Sequence, residues 1–236
     1  MGFKPYLYSI LLTVLILIFP ITSGVLIYIM EIAGSDADLI QGIFFIFGGI
    51  IGLIIAKAHF TEVEEIGLST PQPSNYNYLI PLAIVEGAVL LFGLKPGINL
   101  DDILKYFIFA FAVGFTEELY FRGMIFNILK DKSINKAVVV TSLLFSIGHI
   151  FNLMSGAPLI DTILQIILAL AFSLTTIMIL LDSSSLMIPI IFHGTHNFLS
   201  RITIELSVSL NFIAGALQVL IYIAIGIYLW KRHQKN

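Results

Sequence analysis

The run LYSILLTVLILIFPITSGVLIYIM, from Leu7 to Met30, decides the fold. It carries no charged side chain and exceeds the roughly 20 apolar residues that an α-helix needs to cross a bilayer. It is too long for a secretory signal and lacks a convincing small-residue cleavage site, so it reads as a retained span. Seven more apolar stretches follow, at about 39–56, 78–94, 104–129, 137–153, 160–181, 186–204 and 207–230. The expected fold is all-α: a single transmembrane domain over residues 1–236 with about eight helices. Pro20 is placed to kink the first span, while Pro81 and Pro189 fall in first turns, where proline costs little.

Composition supports that reading across the whole chain. Of 236 residues, 58% are hydrophobic and 11% charged, and the mean hydropathy is +1.00. A soluble domain is about 45–50% apolar and about 25% charged, so this chain has too little polar surface to stay in water. The same figures exclude disorder, a coiled coil and a nucleic-acid partner; the lipid bilayer is the expected surrounding. There is no cysteine, which removes disulfides and thiolate chemistry.

Net charge is −3, but its placement matters more than its sum. With eight spans both termini share a side. That side collects Lys4, Lys57, Lys130, Lys132, Lys136, Lys231, Arg232 and Lys235, whereas the other holds Lys95, Lys105 and Arg201. The excess of basic residues places both termini in the cytoplasm of a multi-pass protein of the cell membrane. The one sizeable loop, Lys57 to Asn77, carries Glu62, Glu64, Glu65 and turn-forming residues from Pro71 to Asn75.

An ionisable group at the bilayer centre costs at least about 2.5–3.5 kcal/mol, so each one within a span is a functional hypothesis. Glu86, Glu117, Glu118, Arg122, His149, His193, His196 and Arg201 fall within spans, with Asp161 at the edge of one, and most lie on the fourth, fifth and seventh. Residues four apart share a helix face, so Glu118 and Arg122 can pair along their helix. Glu117, rotated by about 100°, is free to point elsewhere, and a carboxylate left unpaired there is a natural general base or acid. In Phe145-Ser-Ile-Gly-His149 an aromatic ring and an imidazole share a face; His149 is a water-holder or an interhelical hydrogen-bonder. In His193-Gly-Thr-His196-Asn197, His193 and Asn197 face one way and offer two donors to one acceptor, as an oxyanion hole requires. Asn197 could equally bind helix to helix, and His196 could be spare or supporting. From the terminal side, Glu117, His149, His193 and Asn197 lie at depths of roughly 20, 18, 10 and 16 Å. They can therefore meet.

Together Glu117-Glu118-x-x-x-Arg122, Phe145-x-x-x-His149 and His193-x-x-x-Asn197, in this order on membrane helices, resemble the CPBP family of CAAX proteases and bacteriocin-processing enzymes, also called the Abi family. The motifs cover residues 117–197. The resemblance implies an intramembrane endopeptidase of eight helices around a cavity open to the cytoplasm. By the same resemblance, Glu117 and His149 activate water, His193 and Asn197 stabilise the oxyanion, and Glu118, Arg122 and Phe145 support them. Glutamate-dependent hydrolysis without a cofactor is expected, with zinc on Glu117, His149 and His193 as the alternative, since no His-Glu-x-x-His pair is present. The substrate would be a membrane-associated or prenylated protein, or a peptide precursor; oligomeric state is left open. A proton-coupled transporter and a non-catalytic immunity or scaffold protein are the competing classes, the first weakened by the absence of repeated halves.

Overall fold

In lipid every backbone N–H and C=O must be satisfied within its own segment, so apolar stretches can only coil into helices. The structure, a computed structural model, describes residues 4–60, 62–71, 79–204 and 206–234. Its helices are α1 (Lys4–Ile29), α2 (Gly34–His59), α3 (Leu79–Gly87), α4 (Leu100–Glu118), α5 (Phe126–Lys130), α6 (Ile134–Gly148), α7 (Leu159–Ser183), α8 (Met187–Ile202) and α9 (Val208–His233). A 3-10 turn, Ala88–Phe92, prolongs α3, and a π-helical turn, Leu119–Ile125, joins α4 to α5. Counted as passes, the described elements fall on the eight stretches read from sequence. Pro81 and Pro189 stand in first turns, and α1 continues through Pro20. The expected turn from Pro71 to Asn75 lies outside the described residues beyond Pro71.

Among the described residues five helices are long and apolar enough to cross a membrane: α1, α2, α6 with its 3-10 extension, α7 and α9. The remaining three passes are short or charged, and they carry Glu86, the Glu117–Arg122 string and the His193–Asn197 string. Polar groups lower a helix's affinity for lipid, so these passes depend on protein neighbours. Helix α4 is accordingly enclosed. On one side α2 packs against it through glycines: a Cβ at Gly42 would lie 2.9 Å from the Phe109 backbone, and one at Gly52 would lie 2.6 Å from the Tyr120 ring. Small residues let membrane helices approach closely where no hydrophobic drive separates protein from lipid.

Contacts between helix ends define two faces. On the terminal face Tyr8 meets His59, Arg232 pairs with Asp182 at 3.4 Å, and Ser185 Oγ donates to Ser69 O at 2.8 Å. On the opposite face Ser35 donates to Asp102 at 2.5 Å, Arg201 pairs with Asp38 at 3.1 Å, and Lys95 N–H donates to Ile202 O at 2.8 Å. Between the helices lies a cavity of about 2360 Å³. Its walls begin at Ile16 on α1, Phe145 on α6 and His193 on α8, and end at Phe45 on α2, Leu168 on α7 and Leu220 on α9. Each of these helices therefore contributes the part remote from the termini. The cavity reaches the face away from both described chain ends.

Candidate active site

Helix α4 is locked in rotation by two bonds to α2: Thr116 Oγ1 donates to Phe45 O at 2.8 Å and Tyr120 OH to Gly48 O at 3.2 Å. That rotation turns Glu118 and Arg122 fully inward, both 0% exposed, with Arg122 Nη1 3.2 Å from Glu118 Oε1. The expected pair along the helix is formed. Arg122 Nε donates to Thr176 Oγ1 at 3.1 Å, and the guanidinium lies 4.2 Å from the centre of the Phe145 ring. A buried charge needs such partners to offset desolvation. Glu117 is turned away from this pair and lines the cavity, its side chain 19% exposed. The backbone widens into the π turn directly after Glu118, a deviation that recurs at functional sites. Asn127 Nδ2 donates to the carbonyls of Arg122 and Gly123 at its far end.

Helix α8 brings His193 to this carboxylate cluster. A Cβ at Gly114 would stand 2.8 Å from the Gly194 backbone nitrogen, so the crossing of α4 and α8 requires glycine. At that separation His193 Nδ1 lies 2.8 Å from Glu118 Oε1, and His193 Nε2 lies 3.7 Å from Glu117 Oε2. Because a carboxylate only accepts, Nδ1–H is the donor to Glu118. Sequence spacing pairs His193 with Asn197 but gives no sign of this bond to Glu118. Asn197, one turn further along α8, lines the same cavity and is half-buried.

His149 stands where α6 tightens into the 3-10 turn His149–Ser155. Its Nδ1 lies 3.1 Å from Phe145 O; donation to that carbonyl leaves Nε2 as the basic nitrogen. Phe145 presents its edge or face to three groups: the Arg122 guanidinium, His149 at 5.2 Å and His193 at 5.9 Å between ring centroids. Glu117, His149, His193, Asn197 and Phe145 thus border one cavity, with Glu118 and Arg122 buried behind. Among the described residues no three His, Asp or Glu side chains are gathered so as to hold a metal ion, Glu117, His149 and His193 included.

Two residues of the neighbourhood, Tyr222 and Phe172, escaped the sequence reading. His196 Nδ1 lies 2.8 Å from Glu86 Oε2, and Tyr222 OH donates to the other oxygen of Glu86. Glu86 is 2% exposed, so the bonds join α3, α8 and α9 in the interior. Glu86 and His196 were visible as charge within spans, but Tyr222 had no signal among the chain's other aromatics. Phe172 on α7 likewise had none, although its ring stacks on Phe192 at 5.0 Å and meets His193 at 4.9 Å.

Residues 99–199 match the family model described as type II CAAX prenyl endopeptidase Rce1-like. The match runs from the cap of α4 to α8 and includes all three motifs, whereas Glu86 and Tyr222 lie outside it. No curated protein and no solved structure matches the chain.

Proposed function

We propose that this chain, a CAAX protease family protein by its residues 99–199, hydrolyses peptide bonds at the cavity bordered by Glu117, His149, His193 and Asn197. The observation that carries this reading is the convergence of three separate helices on one cavity, with a base, a second base and two potential donors at its wall. Glu117 and His149 Nε2 hold a water molecule and take its proton as its oxygen attacks the carbonyl carbon. The C=O electron pair moves onto oxygen. Asn197 Nδ2–H and His193 Nε2–H receive that charge. For His193 to donate there it must hold both ring protons; Glu118 accepts from one nitrogen and Glu117 faces the other. Collapse restores the carbonyl, breaks the C–N bond and passes the proton held by Glu117 or His149 to the leaving amine.

Glu118 and Arg122 act through His193 and Phe145 and do not touch the reacting atoms. The test is cleavage of membrane peptides by wild type and by Glu117→Gln, which keeps shape and removes the base. A loss of about 10²–10⁴ in rate is expected for a general base. Asn197→Ala should lose about 10²–10³, the usual value of one oxyanion donor. Full cleavage by both variants, with correctly folded protein in the membrane, would exclude this assignment.

A further inference from the structure

Helix α8 carries two imidazoles held in the same way. His193 turns Nδ1 to the buried Glu118 of α4 at 2.8 Å, and His196 turns Nδ1 to the buried Glu86 of α3 at 2.8 Å. Tyr222 of α9, itself 0% exposed, donates to the second oxygen of Glu86, so that carboxylate is fixed from two sides. Both imidazoles meet the ring of Phe172, at 4.9 and 6.1 Å between centroids. The steps of hydrolysis use the first imidazole and leave the second without a task.

If Glu86, His196 and Tyr222 only tied helices together, Nδ1 would suffice and the rest of the ring could be buried. Yet the His196 side chain is 23% exposed and borders the same cavity as Glu117 and Asn197. Among the described residues no hydrogen bond reaches its Nε2. Glu86 is 2% exposed, and the phenol of Tyr222 brings it no charge. A buried carboxylate needs a cation beside it, and among the described residues the imidazolium of His196 is the one in contact. In that form Nε2–H is a charge-assisted donor without a protein acceptor. At about 1.5 Å per residue His196 stands roughly 4.5 Å along α8 from His193, close to the roughly 3.8 Å between successive residues of a peptide. A polypeptide whose scissile carbonyl lies against His193 and Asn197 thus brings a neighbouring peptide unit to His196.

We propose that His196 is a substrate-binding residue: its Nε2–H donates to a backbone carbonyl oxygen next to the scissile bond, while Glu86 and Tyr222 hold the ring for that bond. This rests on the endopeptidase reading of the same cavity.

Two substitutions separate substrate binding from the tying of helices. His196→Asn keeps an amide at the place of Nδ1, facing Glu86, and removes the donor at Nε2. His196→Gln carries an amide N–H to the place of Nε2 and gives up the bond to Glu86. With a quenched-fluorescent library of apolar peptides in detergent, His196→Asn should raise KM roughly 10–100-fold, as for one lost hydrogen bond to a charged group, with kcat and the thermal midpoint held. His196→Gln should keep KM nearer wild type while its midpoint falls. The reverse pattern, a wild-type KM in His196→Asn and a raised one in His196→Gln, would overturn the proposal. So would a fall in kcat with KM held. Fluorescence anisotropy of the same peptides on Glu117→Gln reads binding without cleavage, and adding His196→Asn there should weaken binding by the same factor. Equal affinity would refute the role of His196 alone, whereas cleavage persisting in Glu117→Gln would refute the endopeptidase site and this assignment with it.

Discussion

At the scale of single residues the chain spends its few buried charges in pairs. Arg122 is 0% exposed, and its partners are Glu118, Thr176 and the Phe145 ring. Removing one member of a buried ion pair strands the other and costs about 3–5 kcal/mol. Arg122→Met should therefore lower the unfolding midpoint in detergent and weaken cleavage through His193 and Phe145. Arg122→Lys should not restore it, because an ammonium lacks the flat guanidinium that lies over Phe145. Glu86→Gln tests the second cluster. His196 and Tyr222 would lose an ionised acceptor, and hydrogen bonds to charged groups contribute about 1.5–3 kcal/mol each. A thermal scan of that variant should show the loss. Glu117, Glu118 and Arg122 were legible in sequence because charge is so scarce here that position alone marks it. The bond from His193 to Glu118 was not, since it joins residues 75 apart and depends on how two helices cross.

Elements decide whether those residues meet. The stretches that make the helices were legible to within a few residues, because each must bury its own backbone hydrogen bonds in lipid. The crossing of α4 and α8 was not, although both of its glycines were in view. Gly114→Ala would drive a methyl group to 2.8 Å from the backbone of Gly194, which has no flexible side chain to yield. Helix α8 must shift, carrying His193 and Asn197 with it. Misplacement by about 1 Å can cost about 10² in rate, so cleavage should fall on that order while circular dichroism still reports native helix content. The π turn at Leu119–Ile125 was likewise invisible, since its residues are ordinary helix formers and only packing selects the wider coil.

At the scale of the whole molecule, the described chain ends, Lys4 and Gln234, lie on one face, while the cavity occupies the other half of the bundle. The sequence by itself determined that the protein is an all-α membrane bundle, and which charged and imidazole groups it hides. Both follow from the cost of polar groups in hydrocarbon, which each residue incurs wherever it packs. Only the tertiary structure decided that Glu118 holds His193, that Glu86 joins His196 to Tyr222, and that the cavity opens away from the termini. Those facts depend on helix rotation and crossing, which are set by contacts between segments distant in sequence.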